Sequence, residues 1–433
     1  HDAAKRTADI VNLGFVLNVI EDPRERRRAL IDAFKHAKRV LVATVMIAGR
    51  ATIEQFTEYG DGVITKRNTF QKYFTQSEFR DYLTENLGTP PIAVAPGVFY
   101  VFRDELDEQL FLLERQRMRR RRPSFFIPED TGDDAKAHKR AVLESNKELL
   151  AEYWDRCLAL GRQPKPDEFE RSLAVRKLFG SYKQAFSLLL SHFGEEELER
   201  ARQARADDLL VYFALRQFER RKAYALVPDA IKRDVKEYFG TYRAARAQAT
   251  ELLFSCGKPA VIGDACRQAQ HELRIGHLDE DHSLYVLSSQ INELPAVLRV
   301  YVGCATQLYG DVEAADLVKL HIHSGKVTLL LYDDFDGKAV PLLRERIKIR
   351  LRSQAIDFFD YTGEFEPQPL YLKSRFLPDD HPRSGDQRSF DERLAATKLF
   401  DLSGFGPGRD EFESTLVANN LRVRGFQLVP RSR

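Results

Sequence analysis

A polar segment at residues 60–73 holds the densest group of side chains in this chain that could do chemistry. It reads GDGVITKRNTFQKY. Lysine and arginine side chains bind phosphate oxygens, and amide and hydroxyl side chains bind base edges. Asp61 could act as a general base or contact a cofactor. The candidate nucleic-acid contacts are Lys66, Arg67, Gln71 and Lys72. We expect Gly60 and Gly62 to make this loop mobile. The alternative interpretation is an ordinary polar loop at the rim of a sheet.

A second basic group is the run RQRMRRRR at residues 115–122, with six arginines in eight positions. Arginines this close together could neutralise several phosphates of a DNA backbone at once. The candidate contacts are Arg119, Arg120, Arg121 and Arg122. The other interpretation is the solvated end of a helix. An acidic, glycine-containing stretch follows, so we expect residues 115–136 to form an interdomain linker.

Composition restricts the remaining classes of protein. Lys and Arg number 67 against 65 Asp and Glu, a net charge of +2, so any affinity for nucleic acid must come from local patches. The four cysteines lack C-x-x-C spacing, which is typical of reduced thiols in a cytoplasmic protein. His321 and His323 share one face of a predicted strand, but no third spaced ligand accompanies them, so we predict no metal site.

The elements that must position residues 60–73 begin with a β-α-β pattern. The predicted elements are a strand at 8–13, an amphipathic helix at 24–37, a buried strand at 39–47, a helix at 76–87 capped by Thr75 or Ser77, and an irregular hairpin at 92–102. A parallel strand needs partners on both sides. We therefore expect the first strand to be an interior strand of a larger sheet whose other half is not encoded in this chain.

The segment that follows, residues 137–280, is helical in pattern and contains an internal repeat. FGSYKQA at residue 179 is echoed by FGTYRAA at residue 239. In each copy a glycine ends one helix and a Ser or Thr caps the next. Such units, each preceded by proline, resemble small repeats beside homing endonucleases and helicases, which implies contact with DNA. The alternative is a helical packing module.

Residues 281–433 have an α+β pattern. A helix at 294–308 is followed by alternating strands at 317–322, 326–332, 346–351 and 356–361, which predicts an antiparallel sheet. The tail from residue 388 predicts a short helix, a second helix at 410–420 and a final strand at 422–428. The predicted domains are therefore 1–114, 137–280 and 281–433, and the linker at 115–136 joins the first domain to the second.

Several long strings in this order resemble the DNA phosphorothioation-associated methyltransferases. The strings are ADIVNLGFVLNVIEDPRER, YGDGVITKRNTFQKYF, APGVFYVFRDE, ADDLLVYFALRQF and LPAVLRVYVGCA. The likeness runs from about residue 8 to about residue 382. It implies a class I methyltransferase domain that uses S-adenosylmethionine, here a partial Rossmann-like α/β domain followed by an all-α helical region and a C-terminal α+β domain.

The resemblance also implies roles for the residues after the first strand. By that likeness the strand is the fourth of the fold, so Asn12 and Gly14 would contact the cofactor, and Asn12 and Phe15 would be catalytic beside Asp61. DNA amino-methyltransferases place N/D-P-P-Y/F there to hold a flipped base. NLGF keeps the Asn and the aromatic ring but neither proline, and in the alternative interpretation both residues are structural. Asn18 is expected to cap or pack locally.

This sequence departs from the family at its start. The family's glycine-rich loop and its ribose-binding acidic residue are expected upstream of His1, so we expect the chain to be a fragment or processed form that is inactive alone. The first functional hypothesis is a DNA methyltransferase of a phosphorothioate modification or defence system. The second is a non-enzymatic DNA-binding or scaffolding component of that system. Both predict a cytoplasmic protein whose partners are DNA and other phosphorothioation proteins.

Overall fold

The chain folds as a mixed α/β protein in which about half of the described residues are helical. The computed structural model describes residues 6–47, 53, 56–117, 145–218, 227–310, 312, 314–361, 363 and 365–431. Two compact units are present. The first comprises His1–Glu108, Phe218–Arg220 and Leu253–Arg433, and the second comprises Gln109–Gln217 and Arg221–Leu252.

The first unit begins with a four-stranded mixed sheet in the order β1-β2-β7-β6. β1 and β2 are parallel and flank the first helix, whereas β7 runs antiparallel to both β2 and β6. The predicted β-α-β pattern and the hairpin after it are confirmed. The elements are β1 (Ala8–Gly14), α1 (Pro23–His36), β2 (Ala37–Thr44), β6 (Ile92–Ala95) and β7 (Val98–Phe102).

β1 is more exposed than its apolar sequence predicts. It pairs with β2 and with no other described strand, so the N–H and C=O groups along its outer edge have no strand partner there. Ile10 is 62% exposed, whereas Leu13, near the end of the strand, is buried. An apolar parallel strand is ordinarily covered on both faces.

Residues 57–71 form a small antiparallel sheet, so the prediction of a polar loop is wrong. Gly60 turns the chain with φ +58°, and Val63 and Phe70 are buried in the sheet. Strands of two or three residues are too short to show a period in the sequence. Its strands are β3 (Thr57–Tyr59), β4 (Gly62–Ile64) and β5 (Phe70–Gln71).

The helix that follows this small sheet, α2 (Gln76–Leu87), begins where the sequence predicts. The side chain of Thr75 accepts a hydrogen bond from the Glu78 N–H, and the Glu78 carboxylate accepts one from the Thr75 N–H, which forms a capping box. Gln76 is buried and its Nε2 donates to Tyr309 O at 2.7 Å, which ties this part of the unit to the C-terminal half. The next helix is α3 (Glu105–Arg115).

The second unit is helical, as the sequence predicts. Its repeat is visible as two equivalent helix junctions. Gly180 and Gly240 have φ of +73° and +71°, a left-handed conformation that suits glycine. The hydroxyls of Ser181 and Thr241 then accept hydrogen bonds from N–H groups in the next helix, both at 3.2 Å. The helices are α4 (Lys147–Leu160), α5 (Ser172–Phe179), α6 (Tyr182–Phe193), α7 (Glu195–Leu215), α8 (Asp229–Phe239) and α9 (Tyr242–Ser255).

A buried ion-pair network crosses the helical unit. Asp234 is fully buried and accepts from Arg162 Nε at 2.9 Å and from Arg205 Nη2 at 2.8 Å. Arg162 also donates two hydrogen bonds to the carboxylate of Glu168, at 2.7 and 2.8 Å. The charges are therefore compensated where no water reaches them, as buried charges must be.

The C-terminal half of the first unit is built on a six-stranded antiparallel sheet, in the order β13-β12-β11-β10-β9-β8. One face packs in a common core with α10 and α11, through residues such as Cys266, Leu298 and Tyr301. The predicted antiparallel sheet is confirmed. The elements are α10 (Pro259–His271), β8 (His277–Asp279), β9 (Ser283–Leu287), α11 (Ala296–Tyr309), β10 (Leu317–His321), β11 (Lys326–Tyr332), β12 (Leu343–Arg350) and β13 (Ala355–Asp360).

The tail adds two helices and a hairpin. The single final strand predicted for residues 422–428 is wrong, because Gly425, with φ +57°, turns the chain back on itself. Phe390, Phe412 and Leu416 pack these elements together in a separate small core. The elements are α12 (Ser384–Ala396), α13 (Arg409–Ala418), β14 (Leu421–Arg424) and β15 (Gln427–Pro430).

Candidate functional site

The carboxyl ends of β1 and β2 carry the residues that the sequence singles out. Asn12 lies on β1 opposite Val42, and Gly14 lies opposite Thr44. Asn12 is exposed, and a Cβ built on Gly14 would come 3.4 Å from Asn12 Oδ1. In open α/β sheets, ligands bind beyond the carboxyl ends of the parallel strands. This edge is therefore the candidate site.

Phe15 adopts an unusual conformation at this edge. Its φ is +57°, a left-handed value that costs a non-glycine residue about 1–2 kcal/mol. A hydrogen bond from its N–H to Thr44 O, at 2.9 Å, fixes the backbone, and the ring remains 55% exposed. The backbone of Phe15 is thus fixed, and its side chain is accessible to a ligand.

Exposed apolar side chains surround Phe15 in the sequence and across the edge. Val16 is 39% exposed, Val19 is 58% exposed, and Met46, just after β2, is 45% exposed. Solitary exposed apolar residues are common on protein surfaces, whereas several near one edge make that edge a candidate binding surface. The candidate site therefore combines an amide, an aromatic ring and apolar surface.

Asn18 joins this edge to the small sheet. It is fully buried, and its Nδ2 donates to Met46 O at 3.3 Å and to Lys72 O at 2.5 Å. Its Oδ1 accepts from the Met46 N–H at 2.9 Å. We call this set of three hydrogen bonds the Asn18 clamp. The expectation that Asn18 acts locally is wrong, because its partners lie 28 and 54 residues away.

Asp61 lies in an ion-pair network rather than pointing freely into the site. Its carboxylate accepts from the buried Arg26 at 2.6 and 3.1 Å, and Lys72 Nζ lies 3.4 Å from it. The hydrogen bond from Arg26, opposed by partial burial and aided by the charge of Lys72, holds the pKa of Asp61 below its usual range. A carboxylate with a lowered pKa is a weaker base. This geometry favours a positioning role for Asp61.

The predicted nucleic-acid contacts separate into two groups. Lys66 and Arg67 lie exposed in the turn between β4 and β5. Gln71 is buried beneath Met46, and Lys72 is paired with Asp61 and, at 3.1 Å, with Glu78. Two of the four are therefore accessible. The residues Arg119, Arg120, Arg121 and Arg122 lie outside the described residues.

Neither the buried position of Arg26 nor the long-range contacts of Asn18 were predicted from the sequence. Arg26 follows Asp22-Pro23 in an amphipathic helix rich in arginine, and nothing in that pattern distinguishes it from its exposed neighbours. In the structure it is 1% exposed and donates to Ile20 O as well as to Asp61. Together Arg26 and Asn18 bring residues 12–19 and 57–72, separate in sequence, to one edge of the sheet.

Comparison of the chain with protein-family models, with curated proteins and with solved structures found no match in any of the three. Within the residues that the structure describes, no helix has the length and apolar character that spanning a membrane requires.

Proposed function

We propose that residues 6–102 form the carboxyl-terminal half of a class I S-adenosylmethionine-dependent methyltransferase domain, and that the protein methylates DNA in a phosphorothioate modification or defence system. The observation that carries the proposal is the strand order β1-β2-β7-β6. A parallel β-α-β pair is followed by a hairpin whose second strand inserts, antiparallel, between β2 and β6. A class I methyltransferase sheet ends with this arrangement.

The chemistry of the edge supports a DNA base as the methyl acceptor. Enzymes that modify a base within DNA flip it out of the helix, stack it on an aromatic side chain and hydrogen-bond its edge. Phe15 offers an exposed ring, and the exposed Asn12 offers a carboxamide on the preceding strand. Lys66 and Arg67, exposed on the small sheet that the Asn18 clamp holds against this edge, would contact the flanking phosphates.

The described residues fit only part of the cofactor. Gly14 leaves room beside Asn12 for a ligand, since a Cβ there would lie in contact with Asn12 Oδ1. The ribose of such a cofactor is held by a carboxylate. The carboxylate connected to this edge, Asp61, is already paired with Arg26 and Lys72. The proposal therefore gives Asn12 and Gly14 contacts near the acceptor and assigns no ribose contact within these residues.

Methyl transfer by the protein tests this proposal. The protein is incubated with methyl-labelled S-adenosylmethionine and duplex DNA, with and without sulfur in the backbone. Loss of base stacking costs about 1–3 kcal/mol, so Phe15→Ala should lower labelling by about 5- to 150-fold. Phe254→Ala is the matched control, because Phe254 is 71% exposed on a different part of the chain. Absence of labelling by the wild type on both DNAs would contradict the proposal.

The second candidate is a non-enzymatic DNA-binding or scaffolding protein, and the repeated helix junctions favour it. Each junction presents exposed cations on both sides of its left-handed glycine, Arg176 and Lys183 in the first copy and Lys236 and Arg243 in the second. Cations repeated at both junctions would neutralise phosphates of a duplex. The double variant Lys183→Gln/Arg243→Gln should weaken a DNA mobility shift at low salt without affecting methyl transfer chemistry. Unchanged shifts would reject this candidate.

A further inference from the structure

The six-stranded sheet has a second face, opposite the one that packs against α10 and α11, and this face is rich in cations. In an antiparallel sheet, residues paired directly across strands share a face. The register pairs Lys319 with Thr328 and Thr328 with Lys348, and in the next row it pairs Lys326 with Arg350. We call the following set the basic face: Lys319, Lys326, Arg346, Lys348 and Arg350.

Few carboxylates compensate this charge. On the strand beside the basic face, Asp357 of β13 lies 2.5 Å from Arg350. Asp279 of β8 lies 3.9 Å from Lys319. Five cations therefore share two acidic neighbours among the described residues of the sheet face. Like charges directly opposite each other destabilise a sheet, so stability alone does not explain the pairing of Lys326 with Arg350.

The cations lie close enough to affect one another. Burial, together with the charge of Arg346 and Lys326, lowers the pKa of Lys348. Burial and then the charges of Lys319, Lys326 and Lys348 lower the pKa of His321 to about 4. His321 is therefore neutral at physiological pH and contacts Thr328 Oγ1 at 3.0 Å. The cations of the basic face therefore form one region of positive charge rather than a set of separate surface charges.

Aromatic rings hold two of the cations in position. Lys319 Nζ lies 4.4 Å from the ring centre of Tyr285, and the guanidinium of Arg346 lies 4.7 Å from that of Phe359. Arg346 Nε is buried and has no hydrogen-bond partner among the described residues, and Lys319 Nζ donates to the hydroxyl of Tyr285. The positions of these two cations are thus fixed, and the rings beneath them are already covered.

The accessible part of this face is defined by the rest of the fold. Phe376 and Leu377 pack over one end, against Leu287 and Leu330. The rows that hold Lys319, Lys326 and Lys348 lie toward the other end, and Arg350 there has a side chain 49% exposed. A ligand would therefore approach across β10, β11 and β12 rather than at the covered end.

We propose that the basic face binds the sugar-phosphate backbone of a nucleic acid. The cations are spread over three neighbouring strands instead of converging on one point, which suits successive phosphates better than a single one. Because the aromatic rings are covered by cations, the contact reads backbone charge and not base sequence. The binding of nucleic acid by the basic face extends the proposed function, and the two can fail separately. DNA binding without methyl transfer would contradict only the methyltransferase proposal. Methyl transfer with unchanged DNA binding in the variants below would contradict only the role of the basic face.

Fluorescence anisotropy with a fluorescein-labelled duplex DNA, measured from 0.05 to 0.5 M salt, tests the basic face. The double variant Lys326→Gln/Lys348→Gln removes two phosphate contacts, so the slope of log affinity against log salt should decrease by about 1.8 and the affinity at 0.1 M salt by about 60-fold. The matched control is Lys35→Gln/Lys38→Gln, two exposed lysines in the last turn of α1 and at the amino end of β2, away from the basic face. The control should retain the wild-type slope.

A second variant keeps the test decisive if the first one folds poorly. Asp357→Asn removes the partner of Arg350 and adds one net positive charge, so it should strengthen DNA binding and steepen the salt dependence. Amine-reactive labelling read by mass spectrometry should show DNA protecting Lys326 and Lys348 but not Lys35. Equal slopes for wild type and both variants, or competition by inorganic phosphate or anionic vesicles as effective as by DNA, would overturn the proposal.

Discussion

Asp234 is the residue whose replacement should most destabilise the helical unit. It is fully buried between two guanidinium groups, with Arg162 Nη2 at 2.7 Å and Arg205 Nη2 at 2.8 Å. Asp234→Asn keeps the side-chain shape but removes the charge that compensates the buried Arg205 and, together with Glu168, the buried Arg162. Removing one partner of a buried ion pair costs about 3–5 kcal/mol. We expect the free energy of unfolding of this unit to fall by that amount.

The single tryptophan of the chain makes this measurable. Trp154 lies in the same unit, is 2% exposed and stacks on Phe193 at 5.2 Å, so its fluorescence should change when the unit unfolds. With a urea dependence of about 2 kcal/mol per molar, the fluorescence midpoint of Asp234→Asn should fall by about 1.5–2.5 M.

The control variant removes a carboxylate of the same helix that is exposed. Asp229 pairs with Lys232 at 3.0 Å, and its side chain is 80% exposed, so Asp229→Asn should change the free energy of unfolding by less than about 1 kcal/mol. If Asp234→Asn lowers the midpoint no more than Asp229→Asn does, the buried network does not hold the unit together, and the reasoning from burial is refuted.

Two further predictions concern the first unit and pH. Asn18→Ala removes three hydrogen bonds to Met46 and Lys72, so the free energy of unfolding, measured in urea by circular dichroism, should fall by about 2–4 kcal/mol. Replacing the exposed Asn419 with alanine should lower it by less than about 1 kcal/mol. Equal effects of the two variants would contradict the role of the Asn18 clamp. Burial alone would raise the pKa of Glu168, but arginine hydrogen bonds and charge lower it to about 2. Because the folded pKa is below the unfolded value of about 4.3, the stability that Glu168 contributes is complete above about pH 5 and is lost as the pH falls toward 2. In Glu168→Gln, the urea midpoint measured by tryptophan fluorescence should no longer show this loss.

Regular elements with a strong local signal could be predicted from the sequence. The helix that starts after Thr75 has a capping residue and an acidic residue three positions later, and both make the expected hydrogen bonds. The two Phe-Gly junctions at Gly180 and Gly240 end their helices in the left-handed conformation that glycine allows. In each case the information lies within a few neighbouring residues.

Contacts between distant segments could not be predicted in this way. Asn18 is one polar residue in an apolar run, and only the folded chain shows that it joins Met46 and Lys72. The basic face is equally hidden, because Lys319 and Lys348 become neighbours through the register of three strands. A sequence period shows which face a residue is on, but not which other strands lie beside it.

Phe15 links the fold to the proposed function by a physical argument. A left-handed φ costs this residue about 1–2 kcal/mol, and its ring, 55% exposed, recovers little of that cost by burial. Glycine would take the same conformation without strain. The hydrogen bond to Thr44 O nevertheless fixes the backbone there, and the neighbouring Asn18 clamp anchors the same loop. An exposed aromatic ring held in a strained position contributes little to packing, so a stacked ligand explains its presence better than stability does.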